Sequence, residues 1–94
     1  MLYFFLNNIL NSLNVFPNPT NNHATISIIG TSNENVSYQL LNEQGKLIEK
    51  KDLIISAGLN TLEIKPLELN LSKGVYFIKL TSAKGTISKK LIIN

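Results

Sequence analysis

Residues 75–93 read VYFIKLTSAKGTISKKLII, and this stretch decides the fold. Two runs rich in β-branched and aromatic residues flank the short segment Ser82-Ala83-Lys84-Gly85, which ends in glycine. Such a pattern is typical of a β-hairpin, because glycine supplies the backbone conformation that a tight turn requires. The second run continues to Ile93, so the closing residues of the sequence are predicted to form part of the fold.

Strand-like segments also precede this hairpin, and turn residues separate them. The sequences ATISIIG (24–30) and VSYQLL (36–41) alternate apolar and polar residues. The turn NEQGK (42–46) leads into the run KLIEKKDLII, and SAGLN (56–60) precedes the short strand TLEI. Short strands between turns rich in Gly and Asn predict an all-β fold, a small antiparallel β-sandwich of the immunoglobulin-like type.

The alternation also predicts which side chains face the core. Along the loop KPLELNLSKG (65–74), the leucines at 67, 69 and 71 are expected to tuck under a sheet edge. The inward-facing side chains predicted in the strands are Ile26, Ile28, Val36, Tyr38, Leu40, Leu47, Leu62, Ile64, Val75, Phe77, Leu91 and Ile93.

Residues 1–14, MLYFFLNNILNSLN, differ from the remainder of the chain. Their apolar residues fall on helical spacing, but the intervening asparagines are weak helix formers. The segment has no basic residue after Met1 and no small-residue cleavage site, which argues against a secretory signal. We expect either a short helix or an extended lead-in, a remnant of a linker, followed by one domain over residues 15–94.

The residues needed for catalysis or metal binding are scarce. The sequence has no Cys and one His, His23, while Asp52 is its only Asp and the glutamates are scattered. No phosphate-binding loop, nucleophile elbow or spaced set of ligands is present. We therefore predict a protein that is not an enzyme, with no cofactor, no metal and no small-molecule substrate.

The net charge of +3 comes from lysines alone, because arginine is absent. The guanidinium group of arginine forms paired hydrogen bonds with phosphates and guanines, whereas the lysine ammonium group acts only as a point charge. The lysines are also spread along the chain, so nucleic acid is not an expected partner.

Four short stretches, taken in order, resemble a known family. They are VFPNPTNN (15–22), YQLLNEQGKLI (38–48), AGLNTLEIKPLELNLSKGVYFIKL (57–80) and GTISKKLIIN (85–94). Their order resembles the C-terminal sorting domain of the type IX secretion system, found on exported proteins of the Bacteroidetes. The positions that match the family motifs are Pro17, Asn18, Pro19, Gly45, Lys46, Gly74, Val75, Tyr76, Lys89 and Lys90.

The resemblance implies a non-catalytic address tag that is covalently part of a larger cargo protein. Members of the family reach the periplasm by a separate signal and are then recognised by the outer-membrane translocon. A sortase-like peptidase commonly removes the tag, and the cargo becomes secreted or attached to the cell surface. The turn between 42 and 46 departs from the family pattern, because Asn42 and Glu43 replace an Asp often seen there.

Two interpretations of the motif residues remain open at this stage. The prolines could fix the entry angle of the chain, the glycines could permit special backbone conformations, and the lysines could meet an acidic receptor groove. The same residues could instead serve the fold alone.

The alternative function is a structural or adhesive β-sandwich, of the carbohydrate-binding or fibronectin-like kind. Its weakness is that the sequence has no Trp for a sugar platform.

Overall fold

The computed structural model describes residues 13–94, and within that range it contains seven β-strands and no helix. The short helix or lead-in was predicted for residues 1–14. Residues 1–12 of that segment lie outside the described range. In chain order the strands are β1 (Asn14–Phe16), β2 (Ala24–Gly30), β3 (Glu34–Asn42), β4 (Leu47–Ile55), β5 (Gly58–Ile64), β6 (Gly74–Ser82) and β7 (Gly85–Ile93).

The strands form two sheets, and every pairing between neighbouring strands is antiparallel. The three-stranded sheet has the order β1-β2-β5, and the four-stranded sheet has the order β4-β3-β6-β7. The sheets pack face to face around one apolar core, which confirms the predicted all-β sandwich. The predicted closing hairpin is also present, with Ser82 paired to Gly85 across its turn.

The core residues come from the alternating strands of both sheets. Predicted inward residues of β2 and β3, such as Ile26, Tyr38 and Leu40, are at most 1% exposed. Burying such side chains stabilises the fold by about 1.5–3 kcal/mol each. The full set of buried apolar residues is Leu13, Ala24, Ile26, Ile28, Val36, Tyr38, Leu40, Ile55, Ile64, Tyr76, Ile78, Leu80, Leu91 and Ile93.

The prediction for β6 was wrong in its register. Tyr76, Ile78 and Leu80 face the core, whereas Val75 and Phe77 are only half-buried on the outer face. Because a strand exposes alternate residues on opposite faces, a shift of one residue exchanges the two sets. The run from 75 to 78 is apolar throughout, so periodicity alone could not distinguish the two registers.

Of the remaining core assignments, the one at Leu47 was wrong, whereas Leu62 faces inward as predicted. Leu47, predicted to face inward, is 46% exposed. A β-bulge between Leu40 and Leu41 shifts the pairing of β3 with β4, so the alternation does not carry through to the start of β4. Leu62 packs against the core but is only half-buried, because β5 is an edge strand.

The loop from Lys65 to Leu71 follows the prediction in part. The amides of Leu69 and Leu71 donate to the carbonyls of Lys65 (3.2 Å) and Pro66 (2.9 Å), which coils the segment into turns. Leu69 and Leu71 pack against the core as expected. Leu67, however, is 84% exposed, because the coiled backbone directs it to solvent.

Tyr38 carries a polar group into the core. Its hydroxyl donates to Oε1 of Glu49 on the neighbouring strand at 3.1 Å. Burial raises the pKa of the Tyr38 hydroxyl far above its ordinary value, and the charge of Glu49 and this hydrogen bond raise it further. The phenol therefore stays neutral inside the sandwich.

Candidate functional site

Parts of all four motif stretches lie at one end of the four-stranded sheet. At this end β3 and β7 finish, while β4 and β6 begin. Asn42 at the end of β3 pairs with Tyr76, and Gly74 at the start of β6 pairs with Ile93. We call this region, residues 17–20, 42–46, 74–76 and 90–94, the motif end.

Asn18 joins the Pro-Asn-Pro segment to the outer edge of β7. Its side-chain Nδ2 donates to the carbonyl of Lys90 at 2.7 Å, and its Oδ1 accepts from the amide of Ile92 at 3.0 Å. The side-chain amide therefore offers β7 the donor and acceptor that a neighbouring strand would offer. Pro17 and Pro19 on either side have no amide hydrogen of their own, so the asparagine side chain makes these contacts in this segment.

Thr20, two residues after Asn18, continues this contact along β7. Its amide donates to the carbonyl of Ile92 (2.9 Å), and its carbonyl accepts from the amide of Asn94 (2.8 Å). The Thr20 hydroxyl donates to the carbonyl of His23 and accepts from the amide of Asn22 at 3.2 Å. Thr20 is 3% exposed, so this polar side chain is both buried and satisfied. The chain leaving β1 thus ties the three-stranded sheet to β7.

The turn between β3 and β4 is organised by Asn42. Its Oδ1 accepts from the backbone amides of Gln44 (3.0 Å) and Lys46 (2.9 Å). The amide of Gly45 donates to the carbonyl of Asn42 at 2.9 Å. Gly45 has a φ of 83°, a conformation that side chains rarely adopt, as predicted from its place in the turn. Gly45 and Lys46 are both exposed.

The Gly-Val-Tyr motif opens β6, and its three residues face different surroundings. Gly74 has a φ of 152° and open space around its Cα. Val75 lies half-buried on the outer face, opposite Ile92. Tyr76 is 6% exposed, and its hydroxyl donates to the carbonyl of Ser72 at 2.7 Å. The tyrosine is a core residue that also fixes the loop before β6.

The adjacent lysines of β7 point to opposite faces of the sheet. Lys89 is paired with Ile78, so it lies in the inward row of the edge strand, yet it is exposed. Lys90 is paired with Phe77 and lies on the outer face. Neither forms an ion pair among residues 13–94. The two charges therefore do not act as one patch.

Depressions in the surface occur at both ends of the four-stranded sheet. At the motif end, a depression of about 390 Å³ lies between Asn22, Leu67, Leu71 and Ile93. A larger one of about 540 Å³ lies at the opposite end of the sheet, near Ile54. Neither contains a pair of acid-base groups aimed at a common point.

Acidic and imidazole groups do not gather anywhere within residues 13–94. No group of three or more His, Cys, Asp or Glu side chains that could hold a metal ion occurs in that range. Across the same residues, no helix has the length and hydropathy to cross a membrane.

The sequence did not reveal how the motif residues work locally. The roles of Asn18 and Thr20 were missed, because their partners on β7 lie more than seventy positions away in the chain. The signal that could have identified Asn18 is its amide, flanked by two residues that lack an N–H. Asn42 could have been identified as the turn organiser, because asparagine commonly accepts from amides two residues on.

A family model matches the chain over nearly all of the residues that the structure describes. The model described as "Secretion system C-terminal sorting domain" matches residues 14–94, which span all seven strands. No curated protein matches the chain.

Proposed function

The chain belongs to the family of secretion system C-terminal sorting domains, and on that premise we propose that it is a non-catalytic address module for type IX secretion. A type IX sorting domain implies export across the outer membrane to the cell surface or the extracellular space. In this proposal residues 15–94 are the address, residues 1–14 are a lead-in from the cargo, and the outer-membrane translocon recognises the folded module. A sortase-like peptidase then removes it.

The observation that supports this function best is the convergence of the motif stretches. Residues far apart in the chain meet at the motif end, where strand pairing, the side-chain hydrogen bonds of Asn18 and core packing fix their positions. A receptor that reads shape benefits from a rigid surface, because little conformational entropy is lost on binding. Tyr76 supports this surface from the core. Asn18, Gly45, Lys46 and Lys90 are exposed and Val75 is half-buried, so these motif residues are accessible to a partner.

The alternative of a carbohydrate-binding module has little support. Sugar sites commonly use exposed aromatic rings, but Tyr38 and Tyr76 are buried. Phe77 is half-buried on the outer face, and Phe16 is 50% exposed on a different sheet. The described part of the chain therefore has no pair of neighbouring aromatic rings that could form a sugar platform.

The proposed function is tested by fusing the full 94-residue chain behind a reporter enzyme that carries its own signal for export to the periplasm. The fusion is expressed in a host competent for type IX secretion and in the same host lacking the translocon. We expect reporter activity outside the first strain and in the periplasm of the second. A reporter that stays in the periplasm of both strains would overturn the proposal.

A further inference from the structure

We propose that the outer face of the four-stranded sheet, beside the motif end, is a docking surface for a protein partner that presents apolar side chains edged with carboxylates. This inference rests on the proposed function, since the partner would belong to the export machinery. It adds a surface and a partner chemistry that the motif residues alone do not specify.

The apolar part of this surface consists of Leu41, Val75, Phe77 and Ile92. Leu41 is paired with Phe77, and Val75 with Ile92, so the four side chains lie on three adjacent strands. Neighbouring strands are about 4.8 Å apart, which makes these side chains one continuous patch. All four are half-buried and belong to the outer face, where an antiparallel sheet that meets water normally carries polar residues.

Lysines edge this apolar patch on the same face. Lys90 is paired with Phe77, while Lys79 and Lys50 both lie opposite Gln39. None of these three lysines forms an ion pair within residues 13–94. Among the described strand residues on the outer face of the four-stranded sheet, Asp52 is the only acidic one, and it pairs with Ser37 toward the opposite end.

Three of the six acidic side chains of the domain form ion pairs away from this face. Glu34 pairs with Lys84, Glu68 with Lys65, and Glu49 with both Lys51 and Tyr38. Lys50, Lys79 and Lys90 are therefore left without a carboxylate partner within residues 13–94, beside the apolar patch. Complementary carboxylates on a partner would raise the association rate and favour one orientation.

The charge pattern distinguishes this partner from two other occupants. A second copy of the chain, placed face to face, would bring lysines against lysines, which costs free energy. A membrane surface is a poorer fit, because interfacial binding needs apolar side chains that reach into the lipid, and these four lie half-buried in the sheet. An acidic, partly apolar protein surface fits both the charge and the shape.

The first experiment uses the reporter fusion described above with matched pairs of substitutions. Lys79→Gln with Lys90→Gln removes two charges from the docking surface, and Lys51→Gln with Lys65→Gln removes two charges from β4 and the loop after β5. We expect the first pair to lower the rate of export about fivefold, since two exposed charge pairs are lost. The second pair should leave export within about twofold of the unsubstituted chain.

The second experiment tests the apolar patch. Phe77→Ser is compared with Ile54→Ser, which alters an apolar residue that is 73% exposed on the same face at the other end of the sheet. Because Phe77→Ser could also weaken the fold, Val75→Thr is included as a variant of nearly equal size, and thermal melting is measured for all three. We expect Phe77→Ser and Val75→Thr to reduce the exported fraction at an unchanged total level of fusion protein, and Ile54→Ser to leave the exported fraction unchanged.

The outcomes separate this inference from the proposed function. If the unsubstituted fusion is exported and the variants at 75, 77, 79 and 90 are exported equally well, the docking surface is wrong while the function stands. If the unsubstituted fusion is not exported in the competent host, the function itself fails. Dimerisation of the purified chain that Phe77→Ser abolishes would replace the proposed partner with a second copy. Binding of the purified chain to anionic phospholipid vesicles would replace it with a membrane.

Discussion

Asn18 and Lys90 are separated by 72 positions in the chain, yet the Asn18 side-chain amide donates to the Lys90 carbonyl at 2.7 Å. The same side chain accepts from the amide of Ile92, so one residue occupies a place beside β7 that a strand would otherwise fill. Exposed edge strands tend to pair with other chains, and covering them is a common way to prevent this. The Pro-Asn-Pro motif thus stabilises the strand that carries the lysine motif.

We predict that Asn18→Ala destabilises the domain by about 1–2 kcal/mol, because two backbone groups of β7 lose their partners. The free energy of unfolding is measured by urea denaturation. Asn21→Ala, in the exposed turn that follows, is the control and should change stability by less than about 0.5 kcal/mol. In amide exchange, Ile92 should lose protection in Asn18→Ala while Leu91, which pairs with Tyr76, keeps it. Equal protection of Ile92 in both proteins would contradict the role given to Asn18.

Gly45 gives a prediction that separates backbone strain from crowding. A Cβ at this position would meet no atom within 4 Å, so the φ of 83° alone determines the cost of a side chain. We expect Gly45→Ala to lower the free energy of unfolding by about 1 kcal/mol, and Gly45→Asn to lower it less, because asparagine tolerates positive φ. Gln44→Ala is the neighbouring control. If alanine and asparagine were tolerated equally, the turn would have to relax to a different conformation.

Because Tyr38 is buried, we predict that the free energy of unfolding falls at alkaline pH. Its pKa is raised in the folded protein by burial and by Glu49, whereas in the unfolded chain it titrates near its ordinary value of about 10. Above about pH 10 the unfolded state therefore releases a proton that the folded state keeps, and stability falls by about 1.4 kcal/mol per pH unit. Below that pH the contribution is fully present.

The measurement for Tyr38 is a series of urea titrations from about pH 8 to 11 on the unsubstituted chain and on Tyr38→Phe. Lysines and the other tyrosines titrate in the same range, so the difference between the two proteins is the quantity of interest. We expect the unsubstituted chain to lose more stability with rising pH than Tyr38→Phe does. Parallel curves would mean that the Tyr38 hydroxyl is not held neutral by the fold.

The sequence predicted the sandwich well where its physical signals were local. Alternation in β2 and β3 identified their inward rows, since apolar and polar residues there follow a period of two. The β6 register failed because both faces of that strand are apolar, and its outer face is the surface proposed above for docking. The motif positions came from a family resemblance, but their joint location depends on long-range pairing such as that of Gly74 with Ile93. No local rule contains that information.

Lys89 and Lys90 are adjacent in sequence, and the structure predicts different consequences for their substitution. Lys89 lies in the inward row of an edge strand, opposite Ile78, and the outer-edge backbone groups of Thr86 and Ser88 have no hydrogen-bond partner within residues 13–94. A charge in such a row discourages another strand from pairing with the edge. We therefore expect Lys89→Val to keep the fold but to form dimers or larger species as concentration rises, measured by sedimentation velocity.

The control Lys73→Val, on the exposed loop before β6, makes the same chemical change away from the edge and should stay monomeric. Lys90→Gln should also stay monomeric, because its side chain lies on the outer face and its carbonyl is already bonded to Asn18. Association of Lys73→Val to the same extent as Lys89→Val would mean that added hydrophobicity alone, and not the open edge of β7, drives the self-association.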